Sequence, residues 1–184
     1  MLVFIPRLFT TLLPVLFCFA LAACSGSGQQ NQGAGNPEKP QKPEAETPSV
    51  SAGDFTPGWG ASQVFSILEQ ESEVYGQTAV FRNVTFEEGI IAFNQANYEA
   101  VNEIDELAKL MLARPGIDIE LQVYTDDQAS PEANRELGKE RADVIKAELF
   151  NQGVDFQRID SKGFDLAASP EIDSQQVIVK LLKK

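Results

Sequence analysis

Apolar positions fall into three regimes along the chain. Residues 8–23 form a nearly continuous apolar run, interrupted only by Thr10, Thr11 and Pro14. Residues 25–58 then carry only two large apolar side chains, Val50 and Phe55, among Gly, Gln, Asn, Pro, Ser and Glu. From Trp59 onward apolar residues return in periodic form, which is the mark of segments that bury one face.

Within this third regime the periods change from element to element. Val64, Phe65, Ile67 and Leu68 predict a short helix over 62–70. The β-branched and aromatic stretch 78–86 reads as a first strand. Ala100, Val101, Ile104, Leu107, Ala108 and Met111 recur at helical spacing within 94–114, and Pro115-Gly116 stops that helix. Residues 117–124 alternate: Ile117, Ile119, Leu121 and Val123 share one side, Asp118, Glu120, Gln122 and Tyr124 the other. Such a strand is expected to have one buried and one wet face. Ser130-Pro131 opens a second long helix, with a side-chain cap followed by a residue that needs no N–H there. Gly153 supplies its left-handed stop after about residue 152. Residues 156–163 and 175–182 complete the set as a third and a fourth strand.

The order strand–helix–strand–helix–strand–strand predicts an α/β two-layer sandwich, with both helices on one face of a mixed four-stranded sheet. The helical crossovers permit parallel pairs of right-handed connection. The link over 164–174 is short for another crossover, so the last strand is expected to enter antiparallel. The expected division is 1–23 as a leader, 24–58 as a disordered Pro/Gly/Gln-rich tether, 59–74 as a short extension and 75–184 as the folded domain. Low hydrophobicity keeps the tether from offsetting its ordering entropy, and a coil of that length reaches roughly 30 Å.

Arg7 is the single charge in the first 23 residues, and it precedes the apolar run. That is the layout of a secretory signal, and the run is too broken for a comfortable membrane span of about 20 residues. It ends in Leu21-Ala22-Ala23-Cys24, which resembles a bacterial lipobox. The resemblance implies removal of residues 1–23 and lipidation of Cys24. The other cysteine, Cys18, lies inside the leader, so a mature chain has no intrachain disulfide. Each acyl CH₂ buried in a bilayer contributes about 0.8 kcal/mol, so several chains anchor firmly. Ser25 rather than Asp follows the cysteine, and by the same resemblance this points to the outer membrane.

Charge and composition narrow the chemistry. The formal net charge is −12, from 27 acidic and 15 basic residues, a surface that repels nucleic acid and anionic lipid headgroups. Histidine is absent, which removes His bases, Ser–His pairs and His metal ligands. No Gly-rich phosphate loop, metal-ligand cluster or placed carboxylate pair stands out, so no enzyme activity, cofactor or metal is expected.

One constellation remains. Val123-Tyr124-Thr125-Asp126 is followed by Asn134, Leu137 and Arg141-Ala142, then by Gly163, Pro170 and Ser174-Gln175-Gln176-Val177. This pattern resembles the OmpA-like C-terminal domain found in OmpA, Pal and MotB proteins. In that family a G-H-T-D core precedes an Asn, a Leu and an R-A pair on the next helix, and N-R-R-V opens the last strand. The resemblance covers about residues 81–182, and with the lipobox and tether the whole chain looks like a Pal-type lipoprotein.

The resemblance implies a periplasmic, non-catalytic domain that binds peptidoglycan. Asp126 and Arg141, fifteen residues apart, would hold the ammonium and carboxylate of diaminopimelate, with Thr125 and Asn134 beside them. The residues themselves agree: Asp126 lies just past the carboxyl end of a strand, where α/β sheets bind ligands. Arg141 sits between Leu137 and Ile145 on the apolar stripe of its helix and leans back toward the Asp126 loop.

The departures are specific. Val123-Tyr124 stands for Gly-His, Gln175-Gln176 for the two arginines, and Asp127, Gln128 and Ala129 for the loop that normally carries a glycine. The alternative expectation is therefore a domain whose ligand site has decayed and which docks on another envelope protein.

Overall fold

The computed structural model describes residues 47–70, 74–128, 130–172 and 174–182. The expected leader, Cys24 and the tether up to residue 46 lie outside the described residues.

Seven elements carry the fold: α1 (Gly60–Leu68), β1 (Thr78–Phe81), α2 (Tyr98–Ala113), β2 (Asp118–Thr125), α3 (Pro131–Asn151), β3 (Ile159–Asp165) and β4 (Gln176–Leu182). The sheet order is β1-β4-β2-β3. β2 and β3 pair in parallel, and β4 runs antiparallel to both β1 and β2, as the short 164–174 link requires. α1 packs over β1, α3 over β2 and β3, with α2 between the two helices. The sheet rows facing the helices are apolar. Ile119, Leu121 and Val123 of β2 and Val177, Val179 and Leu181 of β4 are all at most 1% exposed. One such row runs Phe81, Val177, Val123, Gly163 across the four strands. Gly163 marks where α3 crosses β3: a Cβ there would lie 1.9 Å from the Arg135 carbonyl and 2.3 Å from the Lys139 nitrogen.

Helix α3 begins and ends as its sequence predicts. The Ser130 side chain accepts from Ala133 N–H at 3.2 Å, Pro131 follows, and Gly153 takes φ 98°. Other boundaries differ, each for a local reason. β1 ends at Phe81 rather than 86, because β4 begins opposite residue 82 and leaves no partner beyond it. The Asn83 N–H instead donates to Glu103 at 3.0 Å, and Phe86 forms an isolated bridge with Phe93. At the third strand, Asp155 caps a 3-10 turn over Phe156–Arg158, so the strand starts at Ile159.

The expected boundary at residue 58 also shifts. Phe55 is 4% exposed, its ring centroid lies 5.2 Å from that of Phe65, and Thr56 donates twice to Glu106. Two isolated apolar residues were too few to signal this in the sequence, yet Phe55 joins the core and the partly buried Val50 packs against it.

Nor is the second face of β2 wet. Glu120 and Gln122 are 5% and 8% exposed. Glu120 accepts from Gln122 at 2.6 Å and pairs with Lys162 at 2.5 Å, while Tyr124 stacks on Phe164 at 4.8 Å. β2 is an interior strand, so long side chains from its neighbours cover it from the sides.

Glu103 organises the N-terminal extension. It is fully buried on α2, and its Oε1 accepts the Gly60 N–H at 2.7 Å, capping α1 from another element because Trp59 offers no side-chain cap. Burial pushes its pKa up, against the lowering effect of the Gly60 and Asn83 bonds. Glu103→Ala strands two backbone donors, and is expected to cost about 1–3 kcal/mol in urea denaturation. Amide exchange should accelerate first in α1.

Candidate functional site

The carboxyl end of β2, the loop that follows it and the loop over 86–91 meet at Arg141. The arginine lies two helical turns from Asn134 on the buried face of α3 and is fully buried. Its Nε donates to the Ile90 carbonyl at 2.9 Å and its Nη1 to Thr125 Oγ1 at 2.9 Å. Its Nη2 donates to the Glu87 carbonyl at 2.7 Å and to Asp127 Oδ2 at 2.5 Å. The guanidinium carbon stands 4.8 Å from the centre of the Phe86 ring, a cation–π contact.

The counter-ion of Arg141 is thus Asp127, whose side chain is 2% exposed. Asp127 Oδ2 also accepts the Gly89 N–H at 3.1 Å. Burial alone would raise the Asp127 pKa. The Gly89 bond and the Arg141 guanidinium outweigh it and hold the carboxyl below its usual range.

Of the four residues expected to contact a ligand, three are scaffold-bound. Thr125 is fully buried, accepting from Arg141 and from the Asp127 N–H at 3.4 Å. Asn134 is 4% exposed and acts as a bracket. Its Oδ1 accepts the Gln128 N–H at 2.7 Å and its Nδ2 donates to Asp165 at 2.6 Å, tying the β2–α3 loop to the end of β3. Arg141 is the third. Asp126 alone is exposed, at the rim, where the Gln175 amide donates to its Oδ1 at 2.7 Å and also to Asp127.

Beside this rim lies a cleft of about 190 Å³ bounded by Phe86, Tyr124, Gln175 and Gln176. A second, of about 240 Å³, shares Gln175 and Gln176 and extends to Arg82. Among the described residues no group of acidic, Cys or His side chains could hold a metal ion, and no helix is long and apolar enough to cross a membrane.

Sequence reasoning missed Asp127, Asp165 and the carbonyls of Glu87 and Ile90. The Thr125-Asp126-Asp127 run offered two adjacent acids, and spacing alone does not say which one turns inward.

The sequence model of the OmpA family matches residues 85–176. No curated protein matches the chain. Among solved structures, a putative MotB-like protein from Desulfovibrio vulgaris is similar at 20% identity over 58% of this chain and 73% of its own, with a TM-score of 0.48. The OmpA-like domain of FopA1 from Francisella tularensis is 15% identical over 58% and 75%, with a TM-score of 0.45. An outer membrane protein from Borrelia burgdorferi is 23% identical over 61% and 95%, with a TM-score of 0.48. The family match spans half of the chain and runs through α2, β2, α3 and β3 to the first residue of β4; the chain belongs to the OmpA family.

Proposed function

We propose that this protein is a lipid-anchored lipoprotein of the outer membrane whose periplasmic domain binds peptidoglycan non-covalently and ties the membrane to the wall. Cys24 would carry the lipid, and the Pro/Gly/Gln-rich segment would span the gap. The domain would grip the stem peptide at the carboxyl end of β2, without catalysis or cofactor. The observation that carries this reading is Asp126, an exposed carboxylate on a loop fixed from behind by Arg141, Thr125 and Asn134, beside an open cleft. In this reading Asp126 meets the ammonium group of diaminopimelate, and the other three residues hold the loop in place.

Sedimentation with isolated sacculi tests it. Wild type is expected to pellet, and Asp126→Ala to lose about tenfold or more in affinity, as removal of a charge-assisted bond implies. Equal pelleting of the variant would remove Asp126 from the site, and no pelleting by either would refute wall binding.

A second reading rests on one observation: the Gln175 amide already occupies both Asp126 and Asp127. A domain with its acids so covered serves instead as a docking module for another envelope protein. Crosslinking in cells would then recover a protein partner and no muropeptide.

A further inference from the structure

We propose that Asp127 fills the place a ligand carboxylate would take on Arg141, so that the site reads an ammonium group and is indifferent to the carboxylate beside it. The inference deepens the wall-binding reading and rests on it.

The geometry argues this in three steps. A guanidinium grips a carboxylate through two parallel N–H bonds from its five donors. In this chain four of those donors are engaged, by Ile90, Thr125, Glu87 and Asp127. One N–H is too few for the fork, and Phe86 stacks on the cation.

Secondly, Asp127 is not a loose plug. Its carboxylate also takes the Gly89 N–H and the Gln175 amide, with 2% of its side chain exposed. A ligand carboxylate displacing it would leave a buried anion without its counter-ion, and would disturb the Gly89 N–H bond by which Asp127 also holds the loop over 86–91.

Thirdly, the exposed acid is differently placed. Among the described residues, Asp126 is bonded by the neutral amide of Gln175, which is itself exposed. An ammonium group can replace that amide on Asp126 and gain an ionic partner, while Asp127 keeps its bonds to Arg141 and the Gly89 N–H. Gln175 therefore stands where the incoming cation would, and Asp127 where the incoming anion would. The class of ligand that fits is a stem peptide with a free side-chain amine, whether or not a carboxylate sits on the same carbon.

Calorimetric titration of the purified, detergent-solubilised protein decides the matter. The peptides are L-Ala-γ-D-Glu-meso-diaminopimelate, its L-lysine counterpart and its Nε-acetyl-lysine counterpart, with sacculus pelleting run in parallel. The diaminopimelate and lysine peptides are expected within about threefold of each other, since a carboxylate left in solvent contributes little. The acetylated peptide should be weaker by about tenfold or more, because it lacks the charge that Asp126 binds. Asp127→Ser should free Arg141 and create a preference for diaminopimelate over lysine of about tenfold. If that variant does not fold, the wild-type ratios suffice.

A wild-type preference for diaminopimelate of tenfold or more, or equal binding of the acetylated peptide, would overturn the inference while leaving sacculus binding intact. Sacculus binding without affinity for any of the three peptides would also overturn it and move the grip elsewhere on the polymer. If neither sacculi nor peptides bind, the wall-binding reading falls and this inference falls with it.

Discussion

Replacing Arg141 with alanine is expected to destabilise the folded domain by about 3–5 kcal/mol, measured by urea denaturation at neutral pH. Arg141 is fully buried, and its loss leaves the Asp127 carboxylate without a counter-ion. The carbonyls of Glu87 and Ile90 would lose their donors at the same time. Asp127→Ala should be costly for the mirror-image reason. Arg141→Ala/Asp127→Ala should then be less damaging than the sum of the two, by about 1–3 kcal/mol, because neither charge is stranded. Strict additivity would mean that the pair is not coupled.

The pH dependence follows from the same pair. The folded-state pKa of Asp127 is depressed, by the Gly89 N–H and Arg141 acting against burial. Its contribution to stability is therefore present above the unfolded carboxyl pKa and is lost as pH falls through the lower folded value. Acidification from neutral pH to about 3 should lower the urea midpoint of wild type more steeply than that of the double variant.

Gly163→Ala is the second large effect. The new Cβ would lie 1.9 Å from the Arg135 carbonyl and 2.3 Å from the Lys139 nitrogen, both backbone atoms of α3. No side chain can rotate aside, so the helix must lift from β3. Overpacked cores ordinarily lose about 1–3 kcal/mol, and a backbone obstacle puts this substitution at or above the top of that range. Gly138 faces the same crossing, with its own added Cβ 2.7 Å from the Val123 carbonyl, so the helix has little room to slide. Since α3 carries both Asn134 and Arg141, the stem-peptide binding proposed for this site should weaken together with stability. Gly116→Ala, in open space, is the control and should change stability by less than about 0.5 kcal/mol.

The parts of this architecture that depend on period and punctuation were legible in the sequence. The Ser130-Pro131 start, the Gly153 stop and the alternation of residues 117–124 act locally. The residues that predict α3 and β2 are therefore the ones that form them. The placement of Arg141 on the apolar stripe likewise foretold an inward-facing cation, because helical spacing fixes the face. What stayed hidden depends on neighbours distant in sequence. Glu103 caps a helix 43 residues away. The polar side of β2 is covered by Lys162 and Phe164 of β3, and Phe55 finds its place only once α1 and α2 are packed.

The same reason explains the choice between Asp126 and Asp127. Loop backbone has no period, so which adjacent acid turns inward is decided by Gly89, Arg141 and Gln175, none of them near in sequence. The glutamine that replaces a family arginine looked like a simple loss of charge. In the folded chain its amide bridges the two acids at the rim.

In the proposed function the wall is gripped at the rim where Asp126 stands, with Arg141 serving as internal support. A nuclear magnetic resonance titration of the protein with solubilised muropeptides tests it most directly. The predicted result is movement of the backbone amides of residues 125–128 and of the Gln175 side-chain amide, while the Arg141 Nε–H keeps its shift and its slow exchange. Shifts confined to the opposite sheet face, around Lys162 and Lys180, or none at all, would contradict it.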